Sequence, residues 1–197
     1  MNNHWRNICV FTGSRHGLRP EYAEAAKQLG QALVDCDYGL VYGGGNVGLM
    51  TVIADAVLSL GGHVTGVIPE SLVSKEVAHP GLTDLRVVIS MHQRKALMAE
   101  LSDGFIAMPG GIGTLEEFFE VLSWAQLGLH EKPCALLNVC GYYDPLIEFL
   151  DRAVACDFIK PKHRGLLIVE SEPAKLIERI VALLPSQPAQ PFDSRRT

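Results

Sequence analysis

Short runs that are apolar at nearly every position alternate with longer stretches of helical period along almost the whole chain. A strand with one face in water alternates apolar with polar residues, whereas a strand covered on both faces reads apolar throughout. "NICVFTG", "YGLVYGG", "GHVTGVIP", "LRVVIS", "GFIAMPG", "PCALLNV" and "LLIVES" are of the second kind. Between them lie amphipathic stretches such as "PEYAEAAKQLGQALVDC", "NVGLMTVIADAVLSLGG", "MHQRKALMAELS", "TLEEFFEVLSWAQLG", "DPLIEFLDRAVACDFI" and "EPAKLIERIVALL". Buried strands separated by single helices require parallel pairing, with each helix crossing over a sheet face. The predicted fold class is therefore α/β, a Rossmann-like doubly wound parallel sheet of about seven strands with helices on both faces.

No internal repeat or linker interrupts the pattern, so one domain is expected over residues 1–184. With 48% hydrophobic residues in 197, a substantial core is affordable. The segment "ESLVSKEVAHPG" fits neither period and is expected to be an irregular connection of the kind that carries function. Residues 185–197, "PSQPAQPFDSRRT", have the proline-rich, polar composition of a disordered tail.

The formal net charge of −5 argues against a nucleic-acid partner, which needs a basic face. "MNNHWRNICVFTGS" lacks the parts of an export signal, and no apolar run reaches roughly 18 residues, so a cytoplasmic protein without a membrane span is expected. Cys9, Cys36, Cys134, Cys140 and Cys156 form no CxxC pair; buried, reduced thiols are expected, and no zinc site.

Ligands of open parallel sheets bind beyond the carboxyl ends of the strands. Three such ends carry glycines: "TGSRHG" with Gly13 and Gly17, "YGGGNVG" with Gly43, Gly44, Gly45 and Gly48, and "PGGIGT" with Gly110, Gly111 and Gly113. Glycine allows close backbone approach, and the helix that follows offers unpaired N–H groups to an anion, so a phosphate-bearing ligand is expected. Gly43, Gly45 and Gly48 also satisfy GxGxxG. A dinucleotide fold places that motif after its first strand, with an acid closing the next strand about 20 residues on. Here it follows the second strand, and NAD(P) binding stands only as the alternative reading, with a non-catalytic nucleotide-binding module as another.

Two glutamates follow the third glycine loop. Thr114 and Glu117 spell a T-x-x-E capping box, which would make Glu117 a structural cap; the same geometry aims Glu116 and Glu117 at the cleft. Arg94 and Lys95 fall near the start of the "MHQRKALMAEL" helix, where cations oppose the macrodipole, and that placement asks for a ligand phosphate or a carboxylate as partner. Glycine loops, cations and carboxylates in one cleft suit a nucleotide whose sugar becomes cationic as its base departs. They suit phosphoryl transfer less well, since no GxxxxGK[ST] loop is present. His16, His63, His79, His92 and His130 are scattered without ligand spacing, and Phe118 and Trp124 lie at the spacing of packing residues.

"PGGIGTLEE" with "MHQRK" resembles the LONELY GUY (LOG) family of cytokinin riboside 5′-monophosphate phosphoribohydrolases. The resemblance extends through "VYGGGNVGLM", "GGHVTGVIPE", "EVAH" and "LSWAQLGLHEKPCALLNVCGYYDPLIEFLDRAV". It implies hydrolysis of the N-glycosidic bond of AMP or N6-substituted AMP, as in AMP nucleosidases and cytokinin biosynthesis, without metal or cofactor. By position it implies Arg94 and Glu117 as the catalytic pair. Glu76, Met91, Lys95, Glu116, Gly110, Gly111, Gly113 and Thr114 would contact the nucleotide, and Gly13, Ser14 and Gly43, Gly44 and Gly45 would line its phosphate and sugar end. It further implies a homodimer or higher homo-oligomer with the site near the subunit interface. Members are often labelled lysine decarboxylases; no lysine here sits in a recognisable pyridoxal-phosphate context, and that label is rejected.

Overall fold

The computed structural model describes residues 6–76 and 78–184, and of residues 74–76 the backbone only. The tail expected at 185–197 lies outside the described residues. In chain order the elements are β1 (Arg6–Phe11), α1 (Pro20–Asp35), β2 (Tyr38–Tyr42), α2 (Gly48–Ser59), β3 (Val64–Pro69), α3 (Glu70–Glu76), β4 (Asp84–Val88), α4 (Met91–Glu100), β5 (Gly104–Ala107), α5 (Ile112–Gln126), β6 (Cys134–Leu137), α6 (Asp144–Ala155), α7 (Pro161–Arg164), β7 (Leu167–Glu170) and α8 (Pro173–Leu183). The seven strands form one sheet in the order β4-β3-β2-β1-β5-β6-β7. Every pairing is parallel, as the apolar strand pattern requires.

Alternate residues of β1 feed two cores. Ile8 and Val10 pack on one face of the sheet with Leu29 and Leu33 of α1, Ile53 of α2 and Ile177 of α8. Cys9 and Phe11 pack on the other with Met98 of α4, Phe118 and Val121 of α5 and Leu150 of α6. Helix α1 illustrates the local logic: Pro20 sits at its first turn, and Ala25, Ala26, Leu29, Ala32 and Leu33 recur at three- and four-residue steps on the buried side. Phe118 is fully buried, and truncation to alanine there would cost about 3–5 kcal/mol.

Three expectations are corrected. The connection after β3 is not wholly irregular: α3 starts directly after Pro69 with Glu70 in its first turn, where a carboxylate favours the helix dipole. Strand β4 is covered incompletely: it lies at the sheet edge, and Leu85, Val87 and the following Ile89 are exposed. Of the cysteines only Cys9 and Cys134 are buried; Cys36, Cys140 and Cys156 are exposed because each lies beyond the end of its strand or helix.

Candidate active site

The chain turns from β1 to α1 and β2 in one direction, and from β5 to α5 and β6 in the other, although β1 and β5 are neighbours in the sheet. The loops above these two strands therefore diverge and leave a crevice, the usual ligand position of a doubly wound fold. The floor of the crevice is tied across. Gly13 N donates to Pro109 O at 3.1 Å, and Leu49 N, at the start of α2, donates to Gly13 O at 3.1 Å.

Arg94 reaches this crevice from α4. The helix start is fixed by a reciprocal side-chain cap: Ser90 Oγ accepts from Gln93 N at 3.2 Å, and Gln93 Oε1 accepts from Ile89 N at 3.2 Å. One turn on, the buried guanidinium donates through Nε to Val67 O and through Nη2 to Gly43 O, both at 3.1 Å. Its Nη1 lies 3.6 Å from Met91 Sδ and 3.8 Å from Glu117 Oε1. A buried charge is tolerated only with such partners. Position 43 has to be glycine, because a Cβ there would fall on the Arg94 guanidinium and crowd Met50.

Glu117 comes from α5, and the expected capping box does not form. The helix begins at Ile112 with Gly111 as its N-cap, and no side chain caps it. Thr114 is instead the third helical residue, buried, with its hydroxyl folded against Gly110; a Cβ at Gly110 would overlap that hydroxyl. The helix starts ahead of the position that the T-x-x-E pattern implies because Gly111 supplies the extended turn (φ −97°, ψ −155°) from which it launches. Glu117 thus sits in the second turn with its side chain 15% exposed, on the wall of the cleft.

The cleft, open to solvent on one side, spans about 670 Å³ and is lined in part by Ser14, Gly43, Arg94, Gly111, Gly113, Thr114 and Glu117. An adjoining chamber of about 730 Å³ shares Ser14 and Gly111 with it and adds Gly13, Arg15, Tyr22, Gly110 and Tyr142. Most residues that the sequence nominates are therefore brought together. Met91 touches the site through Arg94.

Others are placed differently. Lys95 Nζ pairs with Glu116 Oε1 at 2.5 Å and with Glu120 Oε1 at 3.0 Å, an ion cluster that joins α4 to α5. Burial opposes the Lys95 charge, but these two carboxylates outweigh it and hold its pKa above the ordinary lysine value. Gly44 and Gly45 hold the segment after α3: Gly44 O accepts from His79 N at 3.1 Å, and Gly45 bridges Ala78. Glu76 ends α3, and its side chain lies outside the described residues. Residues that the sequence does not nominate include Ile112, 87% exposed on the cleft rim, Met50 behind Gly43, and Tyr142.

The buried histidines have structural partners. His79 Nε2 lies 3.0 Å from Asp55 Oδ1 while its Nδ1 accepts from Gly81 N, and His130 Nε2 lies 2.9 Å from Val121 O while its Nδ1 accepts from Lys132 N. Burial lowers the His130 pKa to about 4.

Fold and crevice place the protein in the Rossmann-like α/β class with its ligand cleft at the point where the winding reverses. A protein-family model described as "Possible lysine decarboxylase" matches residues 50–180. The chain is 49% identical to the probable cytokinin riboside 5′-monophosphate phosphoribohydrolase LOGL2 of Oryza sativa subsp. japonica, over 91% of this chain and 74% of the relative. It is 46% identical to the cytokinin riboside 5′-monophosphate phosphoribohydrolase LOG5 of Arabidopsis thaliana, over 94% and 81%. A solved molybdenum cofactor binding protein from Rippkaea orientalis matches with a TM-score of 0.67 at 24% identity, over 91% of this chain and 97% of that one, a likeness of fold alone. The chain belongs to the LONELY GUY (LOG) family.

Proposed function

We propose that this protein hydrolyses the N-glycosidic bond of cytokinin riboside 5′-monophosphates and of AMP, releasing the free base and ribose 5-phosphate. The relatives named above carry this activity in their names. The observation that carries the reading on this chain is the Arg94–Glu117 pair, 3.8 Å apart, in the same cleft as the unpaired amides at the start of α5.

The amides of Gly111, Ile112, Gly113 and Thr114 have no carbonyl one turn back and receive the 5′-phosphate, aided by the positive end of the α5 dipole. The sugar then lies toward Glu117. As the bond from C1′ to the base breaks, its electron pair leaves with the base, which takes up a proton, and positive charge grows on C1′ and the ring oxygen. The Glu117 carboxylate stabilises that charge and accepts the proton of the attacking water. Arg94, locked by Val67 O and Gly43 O, sets a fixed positive charge 3.8 Å from the carboxylate and favours its ionised form. The glycine loops and Glu117 share one cleft because the ligand carries both an anion and a nascent cation.

Incubation with AMP and with isopentenyl-AMP, followed by chromatography for the free base and steady-state kinetics on each, tests the reading. Base and ribose 5-phosphate appear in equal amounts if it holds; intact nucleotide after prolonged incubation refutes it. The dinucleotide alternative is not favoured, because the GxGxxG glycines follow β2 rather than β1 and the relatives at 46–49% identity are named phosphoribohydrolases.

The working unit is a homodimer in the cytoplasm. Supporting self-association, a groove of about 450 Å³ lined by Phe119 and Leu122 of α5, Leu150 of α6 and Ile159 lies beside exposed Phe149 and Phe158, the latter 88% exposed. Light scattering returns twice the chain mass if this holds, and Phe158→Asp lowers it; a monomeric wild type refutes it. Among the described residues no helix is long and apolar enough to cross a membrane.

A further inference from the structure

We infer that Tyr142 is a positioning residue that aims the amides of the anion loop, an inference that rests on the nucleotide reading above. It begins with "GYYDP", which follows β6, the strand next to β5. A 3-10 turn over Val139–Gly141, with Cys140 (φ 53°) and Gly141 (φ 70°) in the left-handed region, folds this segment back toward the crevice. Asn138 secures the turn: its Oδ1 accepts from Tyr143 N at 2.7 Å, and its Nδ2 donates to Asp144 Oδ1 at 2.7 Å. Two consecutive tyrosines are thereby held over the loop between β5 and α5.

Their hydroxyls grip that loop at both ends. Tyr143 donates to Met108 O at 2.6 Å, and Tyr142 donates to Gly110 O at 2.5 Å. Between them Pro109 O accepts from Gly13 N at 3.1 Å. Three successive carbonyls are therefore fixed by groups outside the loop. A peptide unit is planar and trans, so its N–H points opposite to its C=O. Holding Gly110 O fixes the direction of the Gly111 N–H, which stands beside the unpaired amides of Ile112, Gly113 and Thr114. The grip is needed there because a glycine–glycine peptide has little steric resistance to flipping, and a flip would turn a carbonyl toward the bound anion.

The two tyrosines are not equivalent. Tyr143 is buried, and the carbonyl it holds precedes Pro109, which has no N–H to aim. Tyr142 is 41% exposed, and its ring meets Tyr22 and Tyr143 edge-on at centroid distances of 5.8 and 5.0 Å. Tyr142→Phe therefore keeps both ring contacts and removes a single O–H···O bond.

The experiment compares wild type with Tyr142→Phe by calorimetric titration with ribose 5-phosphate, inorganic phosphate and adenine, alongside thermal unfolding and steady-state kinetics on AMP. The expected result is a three- to tenfold weaker affinity for both phosphate compounds, the scale of one hydrogen bond. Adenine affinity stays unchanged, the unfolding midpoint falls by no more than about 2–4 °C, and KM for AMP rises more than kcat falls. Equal affinities in the two proteins for the phosphate compounds overturn the inference, as does a parallel loss of phosphate and adenine binding. So does a wild type that binds neither phosphate compound. If the wild type binds phosphate but releases no adenine from AMP, the proposed hydrolysis fails while the phosphate titrations still decide the role of Tyr142.

Discussion

Replacing Glu117 by glutamine separates the two uses a carboxylate could have at this position. The side chain lies 3.8 Å from Arg94 Nη1, too far for a hydrogen bond, so the contact is Coulombic. At an effective dielectric of about 20, two unit charges at that distance attract by about 4 kcal/mol, most of which is offset by the cost of desolvating them. Arg94 keeps its bonds to Val67 O and Gly43 O in the variant, so the guanidinium is not orphaned. Glu117 is also not the cap of α5, which begins at Ile112 with Gly111 as its N-cap. The expected loss of stability is therefore only about 1–2 kcal/mol. The transition state, in contrast, loses the Glu117 counter-charge, and kcat should fall about 10²- to 10³-fold, or about 2.7–4 kcal/mol in barrier height. Adenine release from AMP measured beside urea unfolding gives both numbers on one preparation. Activity within fivefold of wild type would refute the reasoning, and so would a stability loss large enough to explain the missing activity.

Three further outcomes are expected. His130 is held neutral when folded, with its pKa lowered by burial from the ordinary 6.5 to about 4; the unfolded chain takes up the proton first as pH falls. Stability is therefore full above pH 6.5 and drops toward pH 4 by up to about 3 kcal/mol, a loss that urea unfolding at several pH values detects and that His130→Asn should flatten. Gly43→Ala places a methyl group on the Arg94 guanidinium; displacing that side chain should cost about 10- to 100-fold in adenine release and about 1–3 kcal/mol in chemical unfolding. Thiol titration of the native protein should find Cys36, Cys140 and Cys156 reactive, with Cys9 and Cys134 silent until unfolding; burial pushes the Cys134 pKa up to about 12.

The strands and long helices were legible because a covered parallel sheet leaves no polar alternation, and β1 shows why: Ile8 and Val10 serve one core, Cys9 and Phe11 the other. The crevice was legible for a related reason, since glycines at strand ends mark where backbone must come close to a ligand. The helix start at Gly111 was not. Both Gly111 and Thr114 are acceptable N-caps locally, and the choice goes with Thr114 folding against Gly110 four residues back, a contact that the cap preferences of the single residues do not reveal. The fate of Lys95 was half legible: Glu116 and Glu120 stand one helical turn apart and share a face, but nothing in a linear reading says that α4 presents Lys95 to it. Tyr142 was invisible for the same reason, since its target is a carbonyl more than thirty residues away in the chain and only the neighbouring of β5 and β6 joins them.

The bond from Gly13 to Pro109 has a consequence for how substrate enters. It extends the tie between the two halves of the domain one step beyond the β1–β5 pairing, into the loops themselves, so the base of the cleft cannot widen without breaking a backbone bond. The opening of the cleft is then set by rim side chains such as the exposed Ile112 rather than by a movement of its base.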